Sequence, residues 1–358
     1  MPDKHPTADL DRAAIGAVDS SRQLDDVLGL PDQLRDAMWR VESAGLKPWD
    51  SPRGLVVAGM GGSAVGGALA RAALGDLLSR PIFAARAYGL PPWTTPDTTV
   101  LCASYSGDTE ETLACYEAAG ALGARRVAVT SGGRLAELAR SEGVPVIPVP
   151  GGFQPRAAVA YMMVAAMETA ALCGAAPRIG SEVDVAAAHT EPLVAEWGPD
   201  GADDSLPKEL ARSLLGVIPI VVGAGLTAPI ATRWKTQINE NAKLPCFAQE
   251  LPELNHNEIV GWEGAGGLGR FSVLFLDDSD THPRVRTRME LTERLIGEWL
   301  HGTHRVTTRG QTSIERVVSL VLLGDLVSLY LAVLRGVDPG PVLALDAIKG
   351  ELAELSAD

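Results

Sequence analysis

One short pattern occurs twice in this chain. GLVVAGMGGSAVGGALARA (54–72) and LLGVIPIVVGAGLTAPIATRW (214–234) each run from an apolar strand through a glycine-rich turn into a helix. A strand that feeds straight into a helix, and then into another strand, crosses over to a parallel neighbour. The pattern therefore commits each half to a mainly parallel sheet flanked by helices, a three-layer, flavodoxin-like α/β sandwich. The surrounding sequence agrees. PIFAARAY (81–88), TTVLCASY (98–105), RRVAVTS (125–131) and VPVIPVP (144–150) read as short buried strands. Helical stretches such as DTEETLACYEAAGALG (108–123) and GRLAELARSEG (133–143) separate them. The second half continues with SVLFLDD (272–278), HRVTT (304–308) and a long apolar helix. Two similar lobes, a diverged duplication, are expected.

Residues 1–50 read as a helical segment packing on the lobes, 51–195 as the first lobe and 205–358 as the second. A polar stretch bearing proline and glycine, EWGPDGADDSLP (196–207), lies between them. At 358 residues the chain is long enough for two real cores. The run VVSLVLLGDLVSLYLAVL (317–334) approaches the length of a membrane span, but Asp325 sits in its middle and no similar segment accompanies it. A buried core helix is expected there.

A net charge of −14 argues against nucleic acid or an anionic membrane as the main partner, though not against a local pocket for a small anion. Four cysteines (Cys102, Cys115, Cys173, Cys246) show no metal or redox spacing, which fits free thiols in a cytosol. MPDKHPTADLDR (1–12) lacks the apolar centre of a signal peptide. A cytoplasmic protein is the expectation.

Two loops carry the chemistry. GMGGSAVGG (59–67) follows a strand and opens a helix; Gly59, Gly61 and Ala64 satisfy a dinucleotide-binding spacing. That reading wants an acidic residue closing the next strand, and PIFAARAY offers Arg86 instead. The second loop, in CASYSGDTEETL (102–113), places Ser104, Ser106 and Thr109 within six positions. One hydroxyl would suffice to cap a helix. Three, beside a glycine-rich turn, suit a phosphate held by helix N-termini, main-chain amides and neutral donors. The phosphate-binding set is Gly61, Gly62, Ser63, Ser104, Ser106 and Thr109.

A glycine–serine turn followed by S-x-S-G-x-T resembles the sugar isomerase (SIS) domain, a phosphosugar-binding module. With QINENAK (237–243), ELPELNHNEIVGW (250–262), GDLVSLYLAVLRGVDP (324–339) and DAIK (346–349), nearly the whole chain resembles the bifunctional phosphoglucose/phosphomannose isomerase family. That resemblance implies two SIS lobes and interconversion of glucose 6-phosphate, and of mannose 6-phosphate, with fructose 6-phosphate through a cis-enediolate. It implies no metal and no cofactor.

Such an isomerisation needs a base to move a proton between two carbons, a group to stabilise the enediolate, and an acid/base to open the ring. Glu240 is the expected base; helical spacing places it with Arg233 and Gln237 on one side and Trp234 and Ile238 on another. His256 and Lys349 are the ring-opening candidates. The resemblance implies that His256 reaches across from a second subunit, and so a homodimer. Arg156, in GGFQPRAAVAY (151–161), is the expected enediolate stabiliser, with Arg134 its competitor. One departure stands out. Dual-specificity relatives carry a threonine shortly before the C-terminal lysine; none lies between Gly336 and Lys349 here, and Gly340 occupies the DPGP turn. Mannose activity is thus the less secure expectation. A non-catalytic phosphosugar sensor, and an isomerase of another phosphosugar, remain as alternatives. HGTH (301–304) is expected to be a surface loop and HPRVRTR (282–288) a solvated helix face.

Overall fold

A computed structural model of the protein describes residues 9–355. Strands buried on both faces are what a parallel sheet between helix layers requires. The central strands of the first half meet that demand at every position: β1 (Leu55–Gly59) and β3 (Thr99–Ala103) are wholly buried. With β2 (Ile82–Ala85), β4 (Arg125–Thr130) and β5 (Val146–Pro148) they form a parallel sheet in the order β2-β1-β3-β4-β5. The second half repeats the design with β6 (Ile218–Ala224), β7 (Phe247–Leu251), β8 (Phe271–Asp277) and β9 (Gly302–Thr307), ordered β7-β6-β8-β9 and again parallel. In both sheets the winding reverses beside the first strand. The crevice between β1 and β3 is such a switch point, where open α/β sheets bind ligands. Both loops singled out in the sequence leave these two strands.

The two sheets do not have separate cores. Leu55 and Leu69 from the first half share one continuous cluster with Ile230, Trp234 and Leu326 from the second. Smaller clusters cover the outer face of each sheet. Helix Leu30–Ser43 packs on helices Val159–Leu172 and Gly180–Trp197. The long apolar helix is Ser313–Arg335; its most apolar window is 89% buried, so it is a core helix. It starts at a capping box between Thr312 and Glu315 and stops at Gly336 in the left-handed region.

This helix crosses helix Ala228–Ala242 closely because residue 324 has no side chain. A Cβ there would lie 2.2 Å from the indole nitrogen of Trp234, which donates to the Leu320 carbonyl at 2.8 Å. A glycine weakens an isolated helix, yet here it makes room for the largest side chain of the interface.

One sequence expectation is corrected. HGTH is not a loop: Gly302 to His304 open β9, paired with β8 through Ser272↔Gly302 and Leu274↔His304. The strand signal of HRVTT extends upstream because the ladder to β8 outweighs the turn tendency of the glycine. Burial lowers the His304 imidazole pKa. Among the described residues no cluster of His, Cys, Asp or Glu is arranged to hold a metal. HPRVRTR opens helix Pro283–Ile296, with Arg284 exposed and Arg286 donating to the Asp278 carbonyl.

Gly324→Ala is expected to lower stability by about 1–3 kcal/mol, since the indole must move within a packed core. Urea denaturation checks this; an unchanged midpoint contradicts the packing described.

Candidate active site

The loop after β3 is shaped by its own hydroxyls. Ser104 Oγ accepts from the Gly107 N–H at 3.0 Å and pairs with Thr109 Oγ1 at 2.8 Å. Ser106 Oγ accepts from the Asp108 N–H at 3.2 Å. Gly107, at φ +81°, makes the reversal. The Thr109 hydroxyl is thereby turned away from capping, and helix Glu110–Ala121 begins without a side-chain cap. Helix Gly61–Leu74, after β1, also lacks one. Its Ser63 is 7% exposed, with a hydroxyl that makes no hydrogen bond among the described residues. Two uncapped helix N-termini with hydroxyls beside them are an arrangement whose chemistry suits a compact anion.

Both loops touch the segment that carries Arg156. A Cβ on Gly62 would lie 3.1 Å from the Pro155 carbonyl oxygen and 3.3 Å from Arg156 Cα. The Tyr105 hydroxyl donates to the Pro150 carbonyl at 3.2 Å and accepts from the Phe153 N–H at 2.8 Å. Arg156 itself lies in the 3₁₀ turn Pro155–Ala158 ahead of helix Val159–Leu172.

The guanidinium is 3% exposed and nearly enclosed by acceptors. Nε is shared between Gln23 Oε1 at 2.9 Å and Asn241 Oδ1 at 2.6 Å. Nη2 donates to the carbonyls of Pro339 at 2.6 Å and Gly340 at 3.2 Å. Nη1 makes only long contacts, to Glu240 Oε2 at 3.4 Å and Gln154 Oε1 at 3.5 Å. Of the five N–H groups, the two on Nη1 are thus the ones left weakly bonded. Burial lowers the Arg156 pKa and the Glu240 carboxylate pulls it back up. A guanidinium keeps its charge even where it is buried.

Glu240 lies near the end of helix Ala228–Ala242, its side chain 28% exposed. Arg233 and Gln237 on the same helix turn inward, to Asp325, while Trp234 and Ile238 enter the core. Lys243 ends the helix at φ +53° and donates to the carbonyls of Glu240 and Pro339. A cleft of about 350 Å³ is lined by Ser20, Ser21, Gln154, Gly340, Val342 and Asp346 among others, and two of these, Gln154 and Gly340, contact the Arg156 guanidinium. A Cβ on Gly340 would lie 2.8 Å from Ser21 Oγ, so glycine lets this turn pack closely against Ser21 where relatives were expected to carry a threonine nearby.

The fold therefore brings together Arg156, Glu240 and the two anion loops. It does not bring His256 or Lys349 into that set. His256 is exposed on the turn Glu253–His256, and Lys349 is exposed on helix Leu343–Leu355; neither side chain bonds to a residue of the site. Arg134 is exposed at the start of helix Gly133–Ser141, and its main-chain N–H donates to Asp108 at 2.9 Å. Sequence reasoning missed Gln23, Asn241, Gln154 and the 339–340 carbonyls. Asn241 sits inside QINENAK, next to Glu240, and was within reach; Gln23 has no local signal.

Ser104→Ala removes the acceptor for Gly107 and the partner of Thr109. It is expected to weaken binding of inorganic phosphate by about tenfold, the scale of one hydrogen bond in a charged site. Titration calorimetry at fixed ionic strength checks this; unchanged affinity would place the anion elsewhere.

Comparison with known proteins places this geometry in a lineage. Residues 203–352 match the family model of the bacterial phospho-glucose isomerase C-terminal SIS domain. The chain is 38% identical over 334 residues to a bifunctional phosphoglucose/phosphomannose isomerase of Caldicellulosiruptor bescii, covering 92% of this chain and 98% of the relative. It is 36% identical to the protein of that name from Aquifex aeolicus, covering 88% and 94%. A hypothetical protein of Thermus thermophilus shares the fold over 98% of this chain and 94% of its own, with a TM-score of 0.72 at 16% identity. On relatives of this similarity and coverage, the chain belongs to the bifunctional phosphoglucose/phosphomannose isomerase family.

Proposed function

We propose that the protein interconverts glucose 6-phosphate and mannose 6-phosphate with fructose 6-phosphate, without a metal. The observation that carries this reading is the Glu240 carboxylate 3.4 Å from the one loosely bonded nitrogen of a buried arginine. Glu240 takes the proton from one of the two carbons of the open-chain sugar and returns it to the other. Between these transfers the substrate oxygens carry developing negative charge. Nη1 of Arg156 is a fixed, desolvated cation beside them, held in advance by its other contacts. The phosphate occupies the loops formed by Gly61, Gly62, Ser63, Ser104, Ser106 and Thr109. Accepting both carbon-2 epimers requires the sugar to turn over one base.

His256 and Lys349 open the ring. A histidine titrates near neutrality and suits this step. Its exposure fits delivery to the site of a second subunit. Large apolar residues are exposed on either side of it: Phe247 at 52%, Val260 at 64% and Leu268 at 76%. Lys349 belongs to a helix whose first turn lines the cleft through Asp346. The reading is therefore a homodimer with shared sites. Four free, buried thiols suit a reducing cytosol.

Incubation with fructose 6-phosphate in the presence of EDTA is expected to yield both glucose 6-phosphate and mannose 6-phosphate. Glu240→Gln should bind substrate yet lose roughly 10³-fold in turnover. Wild-type turnover in that variant ends the mechanism. Mixing Glu240→Gln with His256→Ala subunits should restore about a quarter of the wild-type sites if the dimer shares them, since half of the pairs formed are mixed and each holds one intact site. No recovery after verified subunit exchange would return His256 to its own chain.

A further inference from the structure

Helix Ser313–Arg335 carries polar residues that an apolar core helix has no use for. Asp325 is 4% exposed and Ser328 is fully buried. Three residues apart, they share a face, and that face meets helix Ala228–Ala242. Asp325 accepts from Arg233 Nε at 3.0 Å, from Arg233 Nη2 at 2.6 Å and from Gln237 Nε2 at 2.9 Å. Ser328 Oγ donates to the Asp325 carbonyl at 2.7 Å and accepts from Asn241 Nδ2 at 2.9 Å.

Both branches end on Arg156. Arg233 Nη2 donates to the Arg156 carbonyl at 3.0 Å, so the ion pair fixes its main chain. Asn241 Oδ1 accepts from Arg156 Nε at 2.6 Å, so the carboxamide fixes its side chain. A carboxamide has nearly the same shape in its two flipped orientations, and only its partners select one. With the nitrogen committed to Ser328, the oxygen must face the guanidinium. Flipped, the amide would set donors against a cation and leave a buried group unpaired. The Ser328 hydroxyl, its own proton committed to the Asp325 carbonyl, thus anchors Asn241 in the orientation that the guanidinium requires.

We propose that Ser328 and Asp325 are positioning residues for the isomerisation: they aim Arg156 Nη1 at the substrate, Ser328 through Asn241 and Asp325 through Arg233. This rests on the reading of Arg156 as the group that holds the enediolate. Neither residue touches the cleft, so neither is catalytic.

The test is a double-mutant cycle on fructose 6-phosphate turnover, with Ser328→Ala, Arg156→Ala and the pair. Ser328→Ala should lower kcat by roughly tenfold to a hundredfold, the scale of a misaimed catalytic group, with KM changed by less than about twofold. A hydroxamate mimic of the enediolate should lose affinity by the same factor, and a sugar-alcohol phosphate, uncharged at carbons 1 and 2, should not. In the Arg156→Ala background, Ser328→Ala should have no further effect. An equal loss in that background, or unchanged kcat in the single variant, overturns the inference. Wild-type turnover in Arg156→Ala overturns the underlying reading, and the inference falls with it; a large Arg156→Ala loss beside a silent Ser328→Ala overturns the inference alone. Should Ser328→Ala not fold, Asn241→Ala carries the same cycle with the same outcomes.

Discussion

The structure is organised around one buried guanidinium. A charge taken out of water is tolerated only where oxygen acceptors replace its hydration. Arg156 draws them from the N-terminal helical segment (Gln23), the second-half helix (Asn241), the turn after the long helix (Pro339, Gly340) and, weakly, Glu240. No one of these segments encloses the cation by itself. Satisfying the charge therefore requires both halves and both ends of the chain to be in place together. The same joining of the halves is seen in the apolar core, where the two sheets share one hydrophobic cluster although each repeats the same local pattern. The weak contacts fall on Nη1, the nitrogen shared between Gln154 and Glu240.

How much of this was legible in the sequence follows from the range of each signal. The strand, glycine turn and helix of residues 54–72 are local, and apolar runs with a positive-φ glycine report them directly. Ser104 and Thr109 were likewise visible as a cluster, although their pairing with each other was not. Glu240 and Arg156 were named from separate blocks of sequence. Their contact, spanning 84 positions, is a property of the fold. Gln23 lies 133 positions from Arg156, and nothing around it differs from an ordinary helix residue. HGTH misled because a glycine between two histidines has a turn-like composition, whereas the ladder from β8 is a long-range fact. Asp325 was legible as an anomaly in an apolar run, but not as the base of a network.

The two copies of the pattern have diverged into complementary tasks. β6 occupies the place of β1, each flanked by its second strand on one side and its third on the other. After β1 the turn leaves helix N–H groups and the Ser63 hydroxyl open. After β6 the equivalent turn closes on itself. Thr227 is fully buried; its hydroxyl accepts from the Ala224 N–H at 2.9 Å and donates to the Leu276 carbonyl at 2.9 Å. That hydroxyl is committed within its own turn, unlike the Ser63 hydroxyl after β1. What the second helix contributes lies at its other end, where Glu240 and Asn241 reach Arg156. A duplicated strand–turn–helix thus yields one helix whose N-terminus lies against the segment bearing Arg156 and one whose C-terminal turn reaches Arg156 through Glu240 and Asn241. The shared core fixes the two helices against each other, and the site lies where their opposite ends converge on the segment bearing Arg156.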